Sequence, residues 1–394
     1  MTAETNAPTC DLDFYGNAAL VDPVSCYHQM LDVGSVVWLP KNGLHAICGH
    51  EALTTSLRNH RVFLSGNGVS VNEDINAFLK GSTLNSDPPA HDATREITFA
   101  PLTPRALEDV RAKVESEART IAEKVAKMGS FDAISDLATY LPLRIVRDLV
   151  GLGPKGRDKM LTWAGATFEM MGDPRERHDD ALNGMADLRQ FLDDPDMLSW
   201  LSKDGWARRA TQQGEAAGME PANAIRLMRD YIAPSLDTTI SAIGYGIMLF
   251  ARNPDQWNKL RADRTLVKNA IEEIVRLNTP IKAFSRWVAE DVEVTGTHLQ
   301  KDSRVLMVYG AANRDPAKFA DPDRFDITRN TRGHLGFGHG VHACLGMHLA
   351  RLEMASLFNA LADRVSEFTL LGTPVMGKNS TIHAIAKMPV QVRT

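Results

Sequence analysis

Apolar residues recur every three or four positions along much of this chain, whereas alternating apolar and polar runs are short and few. From Pro104 to about Met128, and again from Asp132 to Val150, the pattern is helical; in the second stretch Ile134, Leu137, Leu141, Ile145 and Leu149 share one face. The longest candidate helix runs from about Pro221 to Arg252, with Pro221 suited to a first turn and Asn253-Pro254 stopping the far end. Thr265 to Leu277 predicts another helix, and a last one starts near Cys344, carrying Leu345, Leu349, Leu352 and Ala355 at helical spacing. Strand signals are local. Ser35 to Gly49 sets two short apolar runs on either side of Asn42-Gly43, the pair that best tolerates a type I′ turn, and so predicts a hairpin. Val292 to Val308 alternates like a strand with Gly296 as a turn, and the proline- and glycine-rich stretch from Asp315 to Gly340 predicts irregular backbone. The pattern therefore predicts a mostly α protein with small β-sheets.

Composition narrows the class. With 44% hydrophobic and 24% charged residues, the 394-residue chain can bury a sizeable core. No repeat, low-complexity tract or Gly/Ser linker divides residues 1–394, which predicts a single domain. Lysine plus arginine is 44 and aspartate plus glutamate 49, so the net charge of −5 gives no general footprint for nucleic acid. The N-terminus is polar without a secretory pattern, and no apolar run approaches the roughly 20 residues that cross a bilayer. Cys10, Cys26, Cys48 and Cys344 are scattered, which fits a reducing cytoplasm.

The strongest chemical signal is Phe337-Gly338-His339-Gly340-Val341-His342-Ala343-Cys344-Leu345-Gly346, a glycine-punctuated loop delivering one cysteine to a predicted helix start. Its glycines permit positive φ and close backbone approach, so amide N–H groups can point at the sulfur and favour a thiolate, a ready metal ligand. On residue type alone, an inert buried cysteine and a zinc site from His339, His342 and Cys344 stay open, the latter without a convincing fourth ligand.

The loop resembles the cysteine-ligand motif of the cytochrome P450 superfamily, F-x-x-G-x-H-x-C-x-G; Phe337, Gly340, His342, Cys344 and Gly346 match every fixed position. The resemblance implies the cytochrome P450 fold, with haem b held between the long oxygen-side helix and the cysteine-ligand loop, and Cys344 as the thiolate ligand to iron, with Phe337 packed nearby. It implies further roles. His91 and Arg95 in Asp87-Pro88-Pro89-Ala90-His91-Asp92-Ala93-Thr94-Arg95 are expected to contact the haem propionates together with Arg286 and His342, because a dianionic edge entering protein needs charge-assisted hydrogen bonds. Glu273 and Arg276 are expected to form a structural triad with Arg324 of Pro322-Asp323-Arg324-Phe325. Asp237-Thr238 occupies the place of the family's acid-alcohol pair, with Thr238 meeting bound oxygen and Asp237 relaying protons. Upstream the chain departs from the family: Pro234-Ser235 stands where a small residue and glycine are usual, and proline there removes an amide and must kink the helix.

Over nearly its whole length the sequence is similar to bacterial enzymes that oxidise para-substituted benzoates, in which an arginine and serines hold the substrate carboxylate. Asn67 falls at the arginine position and Asp230 at a serine position, which predicts a neutral aromatic substrate, hydroxylated or O-demethylated between walls made by Val69, Pro234, Ile281 and Phe284. Phe168-Glu169-Met170-Met171 is a candidate roof. No dinucleotide fingerprint or iron–sulfur cysteine set is present, so electrons for dioxygen reduction are expected from a separate ferredoxin and its NAD(P)H-dependent reductase, received by a monomer on a surface around Arg105, Arg332 and Arg351. The rival readings are a peroxide-driven peroxygenase on the same fold and a non-catalytic haem ligand-binding protein; the acid-alcohol pair argues against the first.

Overall fold

The computed structural model describes residues 6–232 and 234–394. The predicted hairpin is formed by β1 (Val36–Leu39) and β2 (Leu44–Ile47), paired from Leu39↔Leu44 to Val36↔Ile47. Four residues, not two, close it, because Asn42 is turned inward to accept the Phe14 N–H while Gly43 alone takes positive φ. β3 (Phe63–Leu64), β4 (Phe284–Val288) and β5 (Arg304–Met307) complete a five-stranded sheet of order β1-β2-β5-β4-β3, in which only β2 and β5 run parallel. The Val292 to Val308 segment is a small hairpin, Val292–Val294 with Thr297–Leu299 turning at Gly296, followed by β5.

Helices make up the rest of the frame: α1 (Ala90–Phe99), α2 (Pro104–Met128), α3 (Met160–Met171), α4 (Asp237–Arg252), α5 (Val267–Asn278) and α6 (Met347–Ala362). α2 matches its predicted span because both ends are written in the sequence. The Thr103 side chain accepts the Ala106 N–H, Pro104 needs no donor at the first turn, and Gly129 ends the helix at φ 71°. Its Val114, Ala118, Ile121, Ala122 and Val125 are buried and pack on α6, whose Leu357 and Leu361 are equally buried. The predicted helix from Asp132 opens as a π-helical turn, Ala133–Ala138, before Tyr140–Val150 continues as α-helix.

The long helix predicted over Pro221 to Arg252 is divided into Pro221–Arg226, Arg229–Ile232 and α4. Pro234 lacks the N–H that would bond the Asp230 carbonyl four residues back, and at the break side-chain hydroxyls bond other carbonyls: Ser235 Oγ donates to the Tyr231 carbonyl and Thr238 Oγ1 to the Pro234 carbonyl at 3.1 Å. The last helix also starts later than predicted, at Met347, so Cys344 stands in the loop before it. Among the described residues no helix is long and apolar enough to cross a membrane.

Candidate active site

Cys344 is presented by a loop whose glycines are fixed by geometry. Gly340 has φ 71°, and a Cβ there would lie 2.5 Å from the Leu57 carbonyl oxygen, so no other residue fits. The Cys344 N–H donates to the Phe337 carbonyl at 2.7 Å, closing the loop on itself. Burial pushes the Cys344 thiol above its usual value, while the Gly346 and Met347 amides and the charges of Arg95 and Arg351 pull it down. Burial prevails, so the net shift of the free thiol is upward. The zinc reading does not survive the geometry. His339 turns away to accept the Arg58 Nε–H at 2.8 Å, and no cluster of three or more His, Cys, Asp or Glu able to hold a metal occurs among the described residues.

Cys344 opens onto a cavity lined on the sulfur side by Arg95, Arg286, Phe337, His342 and Gly346. Thr238 and Pro234 face it from the oxygen-side helix region, and Ile281, Phe284, Phe168 and Met171 from the far walls. A Cβ on Gly346 would meet no protein atom within 4 Å, so this glycine keeps space clear beside the sulfur for something other than protein. His91 and His342 stand edge to face with ring centroids 4.4 Å apart, and the Nε2 of each is buried with no partner among the described residues. Asp92 takes the other nitrogen of His91 at 2.8 Å. Burial and the neighbouring Arg286, His91 and Arg95 drive the His342 imidazole down to about 2, so it is neutral at this cation-rich edge. Arg95 Nη2 donates to the Ala343 carbonyl at 2.8 Å, and Arg286 is buried against the Tyr309 hydroxyl. Orphaned nitrogens among crowded cations fit a dianionic group at this edge, and a buried sulfur beside a cleared space fits its iron. The residues present therefore fit haem.

Several expected neighbours are placed elsewhere. Arg324 is exposed and lies 4.0 Å from Asp326, whereas Arg329 reaches Glu273 at 3.1 Å beside the bidentate Glu273–Arg276 pair, so Arg329 replaces Arg324 in the triad. Val69 is not on the cavity wall: it is buried among Ile75, Leu79 and Met170, and its carbonyl accepts the Ser285 N–H. Asn67 is exposed and also off the wall. Asp237 does not face the cavity with Thr238; its carboxylate lies beside Gly165 of α3, and burial pushes it up to about 7. The break at Pro234 sets this direction, since α4 starts afresh at Asp237. Arg351 is engaged by Glu272 and so is not a free surface charge, while Arg105 and Arg332 are exposed.

Other cavity residues went unread in the sequence. Arg229 is buried, stacks 5.0 Å over Phe78 and has one guanidinium nitrogen, Nη2, with no partner among the described residues. Its neighbour Asp230 accepts the Thr83 N–H at 3.2 Å, and burial raises its carboxyl toward the neutral form. Glu353, buried on α6, has both oxygens unpartnered among the described residues and is pushed up to about 8 by burial. A lone acid four residues from both Leu349 and Leu357 on an apolar face was the sequence signal for it.

A mostly helical fold with a buried cysteine loop and a cationic, donor-rich edge defines a haem-thiolate protein. The chain belongs to the cytochrome P450 family: the family model "Cytochrome P450" matches residues 196–388, and "Cytochrome p450 CYP199A2" of Rhodopseudomonas palustris is 33% identical over 98% of this chain and 94% of its own. A second relative, "6-deoxyerythronolide B hydroxylase" of Saccharopolyspora erythraea, is 32% identical over 76% of this chain and 74% of its own. The structure of Mycobacterium marinum cytochrome P450 CYP268A2 in complex with pseudoionone has the same fold, with a TM-score of 0.86 and 26% identity over 98% of this chain and 99% of that one. The protein is a haem-thiolate monooxygenase, with haem b as cofactor and dioxygen as co-substrate.

Proposed function

We propose that this monooxygenase, acting as one domain, oxidises a small aromatic substrate that carries an oxygen acceptor at one end, by hydroxylation or O-demethylation. The observation that carries this reading is the pairing of apolar walls at Ile281, Phe284 and Phe168 with a buried donor in the same cavity, Arg229 Nη2, that has no partner among the described residues. A buried donor without a partner favours a ligand that brings an acceptor, be it a phenolic, ether or carboxylate oxygen. The resemblance to enzymes oxidising para-substituted benzoates points the same way.

Cys344 would hold haem b, with His91, Arg95, Arg286 and His342 at its carboxylates, and the bound group would supply the activation of dioxygen. The chain's own residues do the rest. Arg229 anchors the oxygen-bearing end, the aromatic and aliphatic walls exclude water, Thr238 offers a hydroxyl on the oxygen side, and Asp237 holds a proton one residue away near neutral pH. Electrons come from a separate ferredoxin and reductase, with Arg105 and Arg332 available for docking.

Spectral ligand titration across benzoates, methoxyphenols and alkylbenzenes tests the reading, with Arg229→Leu in parallel. Oxygen-bearing aromatics should bind, and the variant should weaken them by about 10- to 100-fold, the worth of one charge-assisted hydrogen bond, while leaving alkylbenzenes unchanged. Equal binding of alkylbenzenes and no effect of the variant would overturn it. Loss of the red-shifted carbon monoxide band in Cys344→Ala separately checks the thiolate ligand.

A further inference from the structure

Adjacent acids on α5 serve different partners: Glu273 holds Arg276 and Arg329, while Glu272 points toward the cysteine loop. Arg351 of α6 meets Glu272 in a two-point pair, Nε to Oε1 at 2.6 Å and Nη2 to Oε2 at 2.9 Å. The same guanidinium lies 4.6 Å over the Phe337 ring, at the start of the ligand loop. The Gly336 N–H donates to His334 Nδ1 at 3.2 Å, which fixes the proton on Nε2, and that nitrogen donates to Glu272 at 2.8 Å. A carboxylate on the helix behind the loop is thus tied to residues seven and ten positions before the cysteine and to the helix that follows it.

We propose that Glu272, His334 and Arg351 form a clamp that positions Phe337 and sets the electrostatic field at the Cys344 sulfur, making Arg351 a positioning residue for the thiolate and not a docking charge for the electron donor. Two independent features support this. The Phe337 carbonyl accepts the Cys344 N–H at 2.7 Å, so whatever fixes Phe337 also fixes the cysteine backbone. The Arg351 guanidinium, stacked on the Phe337 ring, puts a positive charge against the loop that carries the sulfur. Burial alone would raise the Glu272 carboxyl, but the bonds from His334 and Arg351 outweigh it and hold the group at about 2, so the clamp stays ionised across the working range.

The signature is a pair of opposed shifts. Reduction adds an electron near Cys344, so a nearby cation favours the reduced state and its counter-ion opposes it. Arg351→Gln should move the haem midpoint potential downward, and Glu272→Gln should move it upward, both measured by spectroelectrochemistry on the haem-loaded protein. Loosening of the loop alone would shift both in one direction. If Arg351→Gln does not retain haem, Arg351→Lys takes its place: it keeps the charge, loses the two-point pair and the stacking, and should give a smaller downward shift. Wild-type potentials in Glu272→Gln and in the haem-retaining Arg351 variant would overturn the proposal. So would same-sign shifts, or a raised KM for ferredoxin as the sole effect of the Arg351 substitution.

Discussion

Arg329 closes on Glu273 at 3.1 Å from 56 residues further along the chain, completing with Arg276 a buried charge cluster in which the glutamate is wholly removed from solvent. Removing Arg329 leaves Glu273 to Arg276 alone and unpairs the Asp321 and Arg324 carbonyls, at a cost of about 1–3 kcal/mol. Arg329→Ala should therefore lower the unfolding midpoint sharply or prevent haem loading, whereas Arg324→Ala, on an exposed side chain, should stay within about 0.5 kcal/mol of wild type. Denaturant unfolding of both variants separates the two assignments.

The facing rings of His91 and His342 supply the next test. Each has an Nε2 with no partner among the described residues, at the edge we propose for the propionates. His342→Phe keeps the ring volume and removes the donor, so haem affinity should fall by about 10- to 100-fold, the equivalent of one hydrogen bond to a charged group. Haem transfer to apomyoglobin measures the loss, and an unchanged transfer rate would contradict the assignment.

Glu353 gives a pH dependence of definite sign. Its carboxyl is near 4.5 when exposed and at about 8 in the fold, raised by burial. The unfolded chain gives up this proton first, so the contribution to stability is full below about 4.5 and is lost as the pH rises to about 8, at up to about 1.4 kcal/mol per pH unit. Glu353→Gln should flatten that part of the stability profile and raise the melting temperature at pH 8. A variant profile parallel to wild type would show that the carboxyl is not held protonated.

Thr238 is testable through the fate of electrons. Its Oγ1 bonds the Pro234 carbonyl and the residue faces the cavity. Thr238→Val keeps the shape and removes the hydroxyl, so product per NAD(P)H should fall by about a hundredfold, the low end of a positioned proton donor, and hydrogen peroxide should rise. Simultaneous assay of product, NAD(P)H and peroxide measures it, and Thr238→Ser should restore coupling.

Features encoded by neighbouring residues were readable in advance. Thr103-Pro104 and Gly129 mark both ends of α2, and the loop from Phe337 to Gly346 carries its own backbone requirements. His91 and Arg95, four positions apart on α1, share a face by helical geometry alone. What could not be read depends on distant packing. The segment from Asp315 to Gly340 has no period, so nothing local distinguishes Arg324 from Arg329; only the path of the folded chain delivers the second to Glu273. Asp237 was misplaced because Pro234 breaks the ladder, and the helical phase upstream does not carry into α4. Val69 is apolar on a wall or in a core alike, and its direction is set by the bond its carbonyl makes with Ser285.

The interruption at Pro234 has an evolutionary consequence. Arg229 and Asp230 ride on the short helix Arg229–Ile232 and Thr238 on α4, with no unbroken hydrogen-bond ladder between them. A substitution that tilts the first need not rotate the second. On the function proposed above, recognition at Arg229 and chemistry at Thr238 are separated along one stretch of chain, so exchanging the segment from Pro221 to Ile232 for that of a relative should transplant substrate preference while α4 stays in register.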